Sequence, residues 1–142
     1  MQRLFNSQQN LKHLNREKMK AAIIVLSDPK SNTEEALGRV FNALASAYDF
    51  KHDGKEVTVL FQGAGTRWIS ELTKTEHPAH DLFQAVKDTV AGVSCGCADV
   101  FGATEEVVKS GYELIKDNAV PKTTGLPSLR QLTQDGYTVL TF

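Results

Sequence analysis

From Ala21 onward the chain alternates short β-rich runs with longer amphipathic stretches, and this alternation admits few architectures. "AAIIVLSDP" comes first, apolar on both faces, as in a strand covered by helices on either side. "SNTEEALGRVFNALASAYDF" places Leu37, Val40, Phe41, Leu44 and Tyr48 on one helical face, has Ser31 and Glu34 at capping-box spacing, and closes near Asp53-Gly54. "KEVTVLFQ" reads as a second strand ending at Gly63-Ala64-Gly65, and "HDLFQAVKDTV" as a helix with the stripe Leu82, Phe83, Val86 and Val90. "GVSC" reads as a third strand, "TEEVVKSGYELI" as a helix capped by Thr104, and "LPSLRQLTQDG" as a helix begun by Pro127 and stopped by Gly136. "YTVLTF" supplies the last strand, and a further short one is placed near Asn118 to Val120, in a segment otherwise rich in turn residues. Strands alternating with helices predict right-handed crossovers, hence a three-layer α/β/α fold with a mostly parallel sheet of four to five strands.

The 142 residues, 41% hydrophobic and 23% charged, suit one domain with a single core. Residues 1–19 read as a basic extension, flexible or helical, and residues 20–142 as the single α/β domain. Residues 1–20 hold five bases against Glu17, a local charge of +4, and Leu4, Leu11 and Leu14 fall on one helical face. A loose polar terminus, a partner-binding helix and a targeting presequence all fit this segment, as does a natural start at Met19. Sixteen basic and seventeen acidic residues nearly cancel over the whole chain, so neither a nucleic acid nor a membrane surface is expected as partner. The longest apolar run, Ala21 to Leu26, falls far short of the roughly 20 residues that cross a bilayer. Two cysteines are too few for a disulfide scaffold and no secretory signal is evident, so a reducing cytoplasm and free thiols are expected.

Both cysteines lie in "GVSCGCADVFGA", where the third strand hands over to a helix. Functional groups of parallel sheets collect outside the carboxyl ends of the strands, and Asp28, the Gly63 to Arg67 loop and Cys95/Cys97 all follow strands. A thiol between a strand end and a helix start meets unpaired N–H groups and the positive end of the helix dipole, which favours the nucleophilic thiolate. In an extended segment Cys95 and Cys97 face the same way and can share one pocket. Two small buried core residues fit the same spacing. A Cys95–Cys97 disulfide would close a strained ring and add little stability. Zinc could draw on the pair together with His77 and His80, but the spacing matches no familiar zinc module, and neither a metal site nor a cofactor is expected.

"FQGAGTRW" is the second candidate. A glycine-bracketed turn with Gly63, Gly65, Thr66 and Arg67 can offer N–H groups and a guanidinium to an anion, such as a phosphate, sulfonate or persulfide. It lacks the third glycine of a dinucleotide fingerprint and the Gly-Lys-Ser/Thr of a P-loop. A tight strand exit at positive φ, with Trp68 covering the sheet edge, fits the same residues.

From Lys20 to Phe142 the chain resembles the DsrE/DsrF-like family of small sulfur-relay proteins, which includes TusD-like and YchN-like members. The resemblance rests on "SDPKSNTEEALGRVFNALASAYDFKHDGKEVTVLFQGAG" after the first strand, on the cysteine-glycine strand end in "VSCGCADVFGA", and on the closing "LRQLTQDGYTVLTF". It implies a parallel α/β/α domain assembled into trimers or hexamers, with sulfur carried as a persulfide on the cysteine at the third strand end. By position that residue is Cys95, with Cys97 as an extra thiol. The sequence departs from the family pattern in the distance from Cys95 to Gly102, which brings Cys97 into contention, in Phe101 where the family has an arginine, and in an insertion-like "KDNAVPKTTG". The resulting expectation is a sulfur carrier or sulfurtransferase with donor and acceptor partners. Its rival is a non-catalytic homo-oligomeric module that binds an anion, a nucleotide or a partner protein.

Overall fold

A computed structural model describes residues 2–142, except for the side chains of residues 13–17. The chain runs α1 (Gln2–Glu17), β1 (Lys20–Val25), α2 (Glu34–His52), β2 (Glu56–Phe61), α3 (Trp68–Leu72), α4 (His80–Val86), β3 (Val90–Ser94), α5 (Cys95–Val100), α6 (Thr104–Lys109), β4 (Leu114–Ile115), α7 (Leu129–Gln134) and β5 (Thr138–Thr141). The five strands form one sheet in the order β4-β3-β2-β1-β5, every pairing parallel. This is the expected α/β class, with the upper of the two expected strand numbers.

Alternation along the strands divides the sheet's two faces. Ile23, Val25, Val59, Phe61 and Val93 point into one core, shared with Val40 and Leu44 of α2, Ile69 and Leu72 of α3, Phe83 and Val86 of α4, and Val107 of α6. Ala22, Ile24 and Leu60 are buried outside that core. The connection from β4 to β5 runs back across the sheet, and the right-handed rule puts α7 over this second face. The chain reverses its direction of travel between β1 and β5, the topological switch point of such sheets.

Several sequence expectations change in detail. Thr33, not Ser31, caps α2, accepting from the N–H of Ala36; Ser31 instead closes a 3₁₀ turn over Pro29–Ser31. The buried stripe of α2 is Ala36, Val40, Ala43, Leu44 and Ala47, while Phe41 and Tyr48 are 45% and 40% exposed. Val90 opens β3 instead of ending the preceding helix. Ala103 occupies the cap of α6, and the Thr104 hydroxyl donates to Asp99 instead. That helix ends at Lys109, and Leu114–Ile115 forms the additional strand β4; Asn118 makes only an isolated antiparallel bridge to Leu126. Ser128, not Pro127, caps α7. In the extension α1 is helical, with Leu4, Phe5 and Leu11 exposed, and the Leu14 side chain lies outside the described residues. No described helix is long and apolar enough to cross a membrane.

Candidate functional site

The carboxyl ends of β1, β2 and β3 bring the three sequence-identified segments together. Ser94 ends β3 and caps α5, its hydroxyl accepting from the N–H of Cys97 at 3.3 Å. Cys95 is therefore the first residue of a helix and not part of an extended run. Successive helical residues are about 100° apart, which turns Cys95 and Cys97 to nearly opposite sides of the first turn. The expectation of a shared pocket fails for that reason. Cys95 is 8% exposed and Cys97 partly exposed, both as free thiols.

The start of α5 is less open than a bare helix terminus. The Gly96 N–H donates to the Gly125 carbonyl at 2.6 Å, and the Cys97 N–H is taken by Ser94. A Cβ at Gly96 would stand 3.0 Å from that carbonyl and 3.0 Å from Leu126 Cδ1, so glycine permits the close approach. Further along α5, the Asp99 carboxylate accepts from Thr104 at 2.7 Å and Thr124 at 2.6 Å, and these two bonds hold its pKa below the usual aspartate value. The insertion-like segment is thus a strap, fastened across the cysteine helix at Gly125 and Thr124.

The Gly63–Arg67 segment is a 3₁₀ turn entered at positive φ (57°) through Gly63. Gly65 lies against the Val25 carbonyl with no room for a Cβ. Thr66 is buried and its hydroxyl donates to the Gly63 carbonyl at 2.9 Å. Arg67 reaches furthest: Nε donates to the Phe101 carbonyl at 2.9 Å, the guanidinium lies 5.3 Å from the Phe101 ring, and one terminal nitrogen is 3.4 Å from Asp28. It lines a cleft of about 560 Å³ with Lys30, Ser70, Glu71, Gly102 and Glu106. Of the four anion-binding candidates, Arg67 is the one whose charged group faces an open cleft. Trp68 is buried and donates its indole N–H to the Ser27 carbonyl at 2.8 Å, covering the sheet edge.

His77 and His80 are engaged elsewhere: Nδ1 of His77 accepts from the Ala79 N–H, and Nδ1 of His80 meets the Leu72 carbonyl at 2.8 Å. Among the described residues no group of three or more His, Cys, Asp and Glu stands close enough together to hold a metal.

Sequence reasoning passed over Gln62. It closes β2 beside the cysteine strand, is 7% exposed, and lines a cleft of about 520 Å³ between the sheet end, the strap and the start of α7. A polar residue before a glycine turn carries no signal of that kind.

A model of the DsrE/DsrF-like family matches residues 19–142, a span that holds the whole sheet and both thiols. An uncharacterized protein of Methanocaldococcus jannaschii is 28% identical over 122 residues, covering 86% of this chain and 94% of its own length.

Proposed function

The chain belongs to the DsrE/DsrF-like family, a membership that supports a role related to sulfur relay, and from that premise we propose that it carries sulfane sulfur as a persulfide on Cys95. The observation that carries this reading is the position of Cys95, at the carboxyl end of β3 and the head of α5, between the Arg67 turn and the strap. The reacting form is the thiolate. It attacks the outer sulfur of a donor persulfide; the donor's S–S bond breaks, the donor leaves as a thiolate, and Cys95 keeps the sulfur as Cys–S–SH. An acceptor thiolate repeats the step on that outer sulfur and releases Cys95 as thiolate, so neither half needs an oxidant or a bound cofactor. Arg67, backed by Lys30 in the same cleft, is the group that attracts a donor's negative charge, with Gly63, Gly65 and Thr66 shaping the turn that carries it. Cys97, turned away and more exposed, is the thiol an incoming partner protein meets first.

Members of the family are often oligomeric, and we place residues 20–142 as the working domain of a homo-oligomer, trimer or hexamer, in the reducing cytoplasm, with residues 1–19 as an appended extension. The test is intact mass after incubation with inorganic polysulfide, on wild type, Cys95→Ser and Cys97→Ser. A gain of about 32 Da per sulfur is expected in wild type and Cys97→Ser and absent in Cys95→Ser. Loss in Cys97→Ser alone moves the carrier role to Cys97. The 8% exposure of Cys95 favours a second reading, a non-catalytic binding module with packed thiols. It predicts no sulfur adduct on any variant and thiols that alkylate only after unfolding.

A further inference from the structure

A sheet in the order β4-β3-β2-β1-β5 has two edges, and this chain treats them differently. β4 is two residues long, Leu114–Ile115, and the chain beyond it makes its next bridge from Asn118 to Leu126, within the strap. A very short edge strand is one device that keeps a sheet from pairing with another chain; charged residues, proline and bulges are others. β5 uses none of the last three. Thr138–Thr141 carries no charge and no proline, and its register against β1 is unbroken.

The open groups of that edge can be named. Phe142 turns both backbone groups to β1, its N–H donating to the Ile24 carbonyl at 2.9 Å and its carbonyl accepting from Leu26 at 2.8 Å. Leu140, in register with Ile23, does the same by alternation, so the N–H and C=O of Val139 and Thr141 point away from the sheet. None of the turn and loop hydrogen bonds among the described residues reaches them. The Tyr137 N–H is already given to the Leu132 carbonyl at 3.0 Å, so the free ladder begins at Val139. On the core face the apolar surface runs out to this edge, with Phe142 packed at the margin of the core and Leu140 half-buried.

A second copy of the same strand fits this edge. In an antiparallel pair about a two-fold axis, residues with outward groups face one another and exchange both N–H···O bonds. An axis at Leu140 sets Val139 against the partner's Thr141, Leu140 against the partner's Leu140, and Thr138 against the partner's Phe142. Every outward group is then paired, apolar side chains meet on the core face, and no charge meets a like charge. An axis at Val139 would need the Tyr137 N–H, which is taken. An axis at Thr141 carries Val139 past Phe142 and leaves its groups unpaired.

We propose that two copies of this chain join edge to edge through β5, in the register centred on Leu140. The inference does not depend on sulfur transfer; it rests on the homo-oligomer reading and names the edge that makes the assembly. A two-fold seam belongs to a hexamer and is foreign to a simple trimer. It also leaves the end of β3, with both thiols, three strands away from the contact.

Two experiments on the full-length chain test it. Val139→Pro and Thr141→Pro each remove an outward N–H that the fold does not use, a place where edge strands accept proline. Light scattering after gel filtration should find an even number of copies in the wild type and half that number in either variant. In a Cys95→Ser/Cys97→Ser background, Leu140→Cys should cross-link to a dimer on treatment with diamide, because facing residues of a non-hydrogen-bonded pair stand about 4.5 Å apart. Val139→Cys should not, since the two copies of residue 139 lie two positions apart along the seam, beyond the roughly 7 Å that a disulfide spans. The cross-link decides the question if the proline variants fail to fold. A trimer, an assembly unchanged in both folded proline variants, or cross-linking at 139 and not at 140 overturns the inference and leaves the homo-oligomer reading standing. A monomeric wild type overturns both.

Discussion

Arg67 shows how one side chain can join three strand-end segments. Its guanidinium holds the Phe101 carbonyl, lies beside the Phe101 ring and faces Asp28. Arg67→Lys keeps the charge and loses the Nε bond and the planar contact, so a loss of about 1–2 kcal/mol is expected in urea unfolding. An unchanged midpoint would mean that the bond to Phe101 carries no weight. At Gly65 the neighbour is backbone, which cannot swing aside; Gly65→Ala is expected to cost about 1–3 kcal/mol by the same measurement. Tyr137 donates its hydroxyl to Glu56 at 2.5 Å, and that bond, ahead of burial, raises its pKa to about 12. A raised folded value stabilises the protein fully below the unfolded tyrosine pKa, about 10, and the contribution disappears as pH climbs through 12. The stability gap between wild type and Tyr137→Phe should accordingly be constant to about pH 10 and narrow above it; a flat gap to pH 12 would contradict the assignment. At this scale the sequence was half legible. Glycine at a strand exit announced the turn at Gly63, but the direction of the Thr66 hydroxyl and the burial of Gln62 depend on neighbours that sequence spacing does not reveal.

Elements were more legible than their edges. The strand–helix alternation survives throughout, because hydrophobic period is a property of a whole segment and tolerates a misplaced residue. The misreadings have local causes. On α2 size and spacing point to the larger apolar residues as the core face, yet alanines at 36, 43 and 47 let the helix lie close to the sheet and leave Phe41 and Tyr48 outside. Gly111, at φ 81°, stops the chain from continuing as a helix and frees Leu114–Ile115 to pair with β3. In the sequence the strap is an insertion-like run of turn residues; its bonds to α5 are long-range and leave no mark in the pattern. One of these bonds is proton-sensitive. Asp99 is held ionised by Thr124 and Thr104, so what its carboxylate adds is complete above pH of about 4 and is lost as pH falls through the lower folded value. The protection factor of the Gly96 amide, its exchange rate relative to that of the unfolded chain at the same pH, should fall over that acid range in wild type, and Asp99→Ala should have low protection already at neutral pH and lack the acid step. Equal protection in the two proteins would show that Gly125 holds the strap unaided.

Over the whole molecule, charge and core divide at the same place. Residues 1–20 carry +4 and, since the chain totals −1, residues 21–142 carry −5. No described residue of α1 joins the core, and the family match begins at Met19. Removing residues 1–18 should therefore shift the thermal midpoint by no more than about 4 °C, the size of a change near 1 kcal/mol. A larger loss would make α1 part of the domain. The sheet order has a consequence of another kind, in time. β1 is made first among the strands and ends with neighbours on both sides, but the second of them, β5, comes more than a hundred residues later. On the ribosome the β1–β2–β3 portion can assemble while one edge of its most apolar strand waits unpaired. A stalled nascent chain ending before residue 138 should expose that edge to a chaperone, and release of the last few residues should close it.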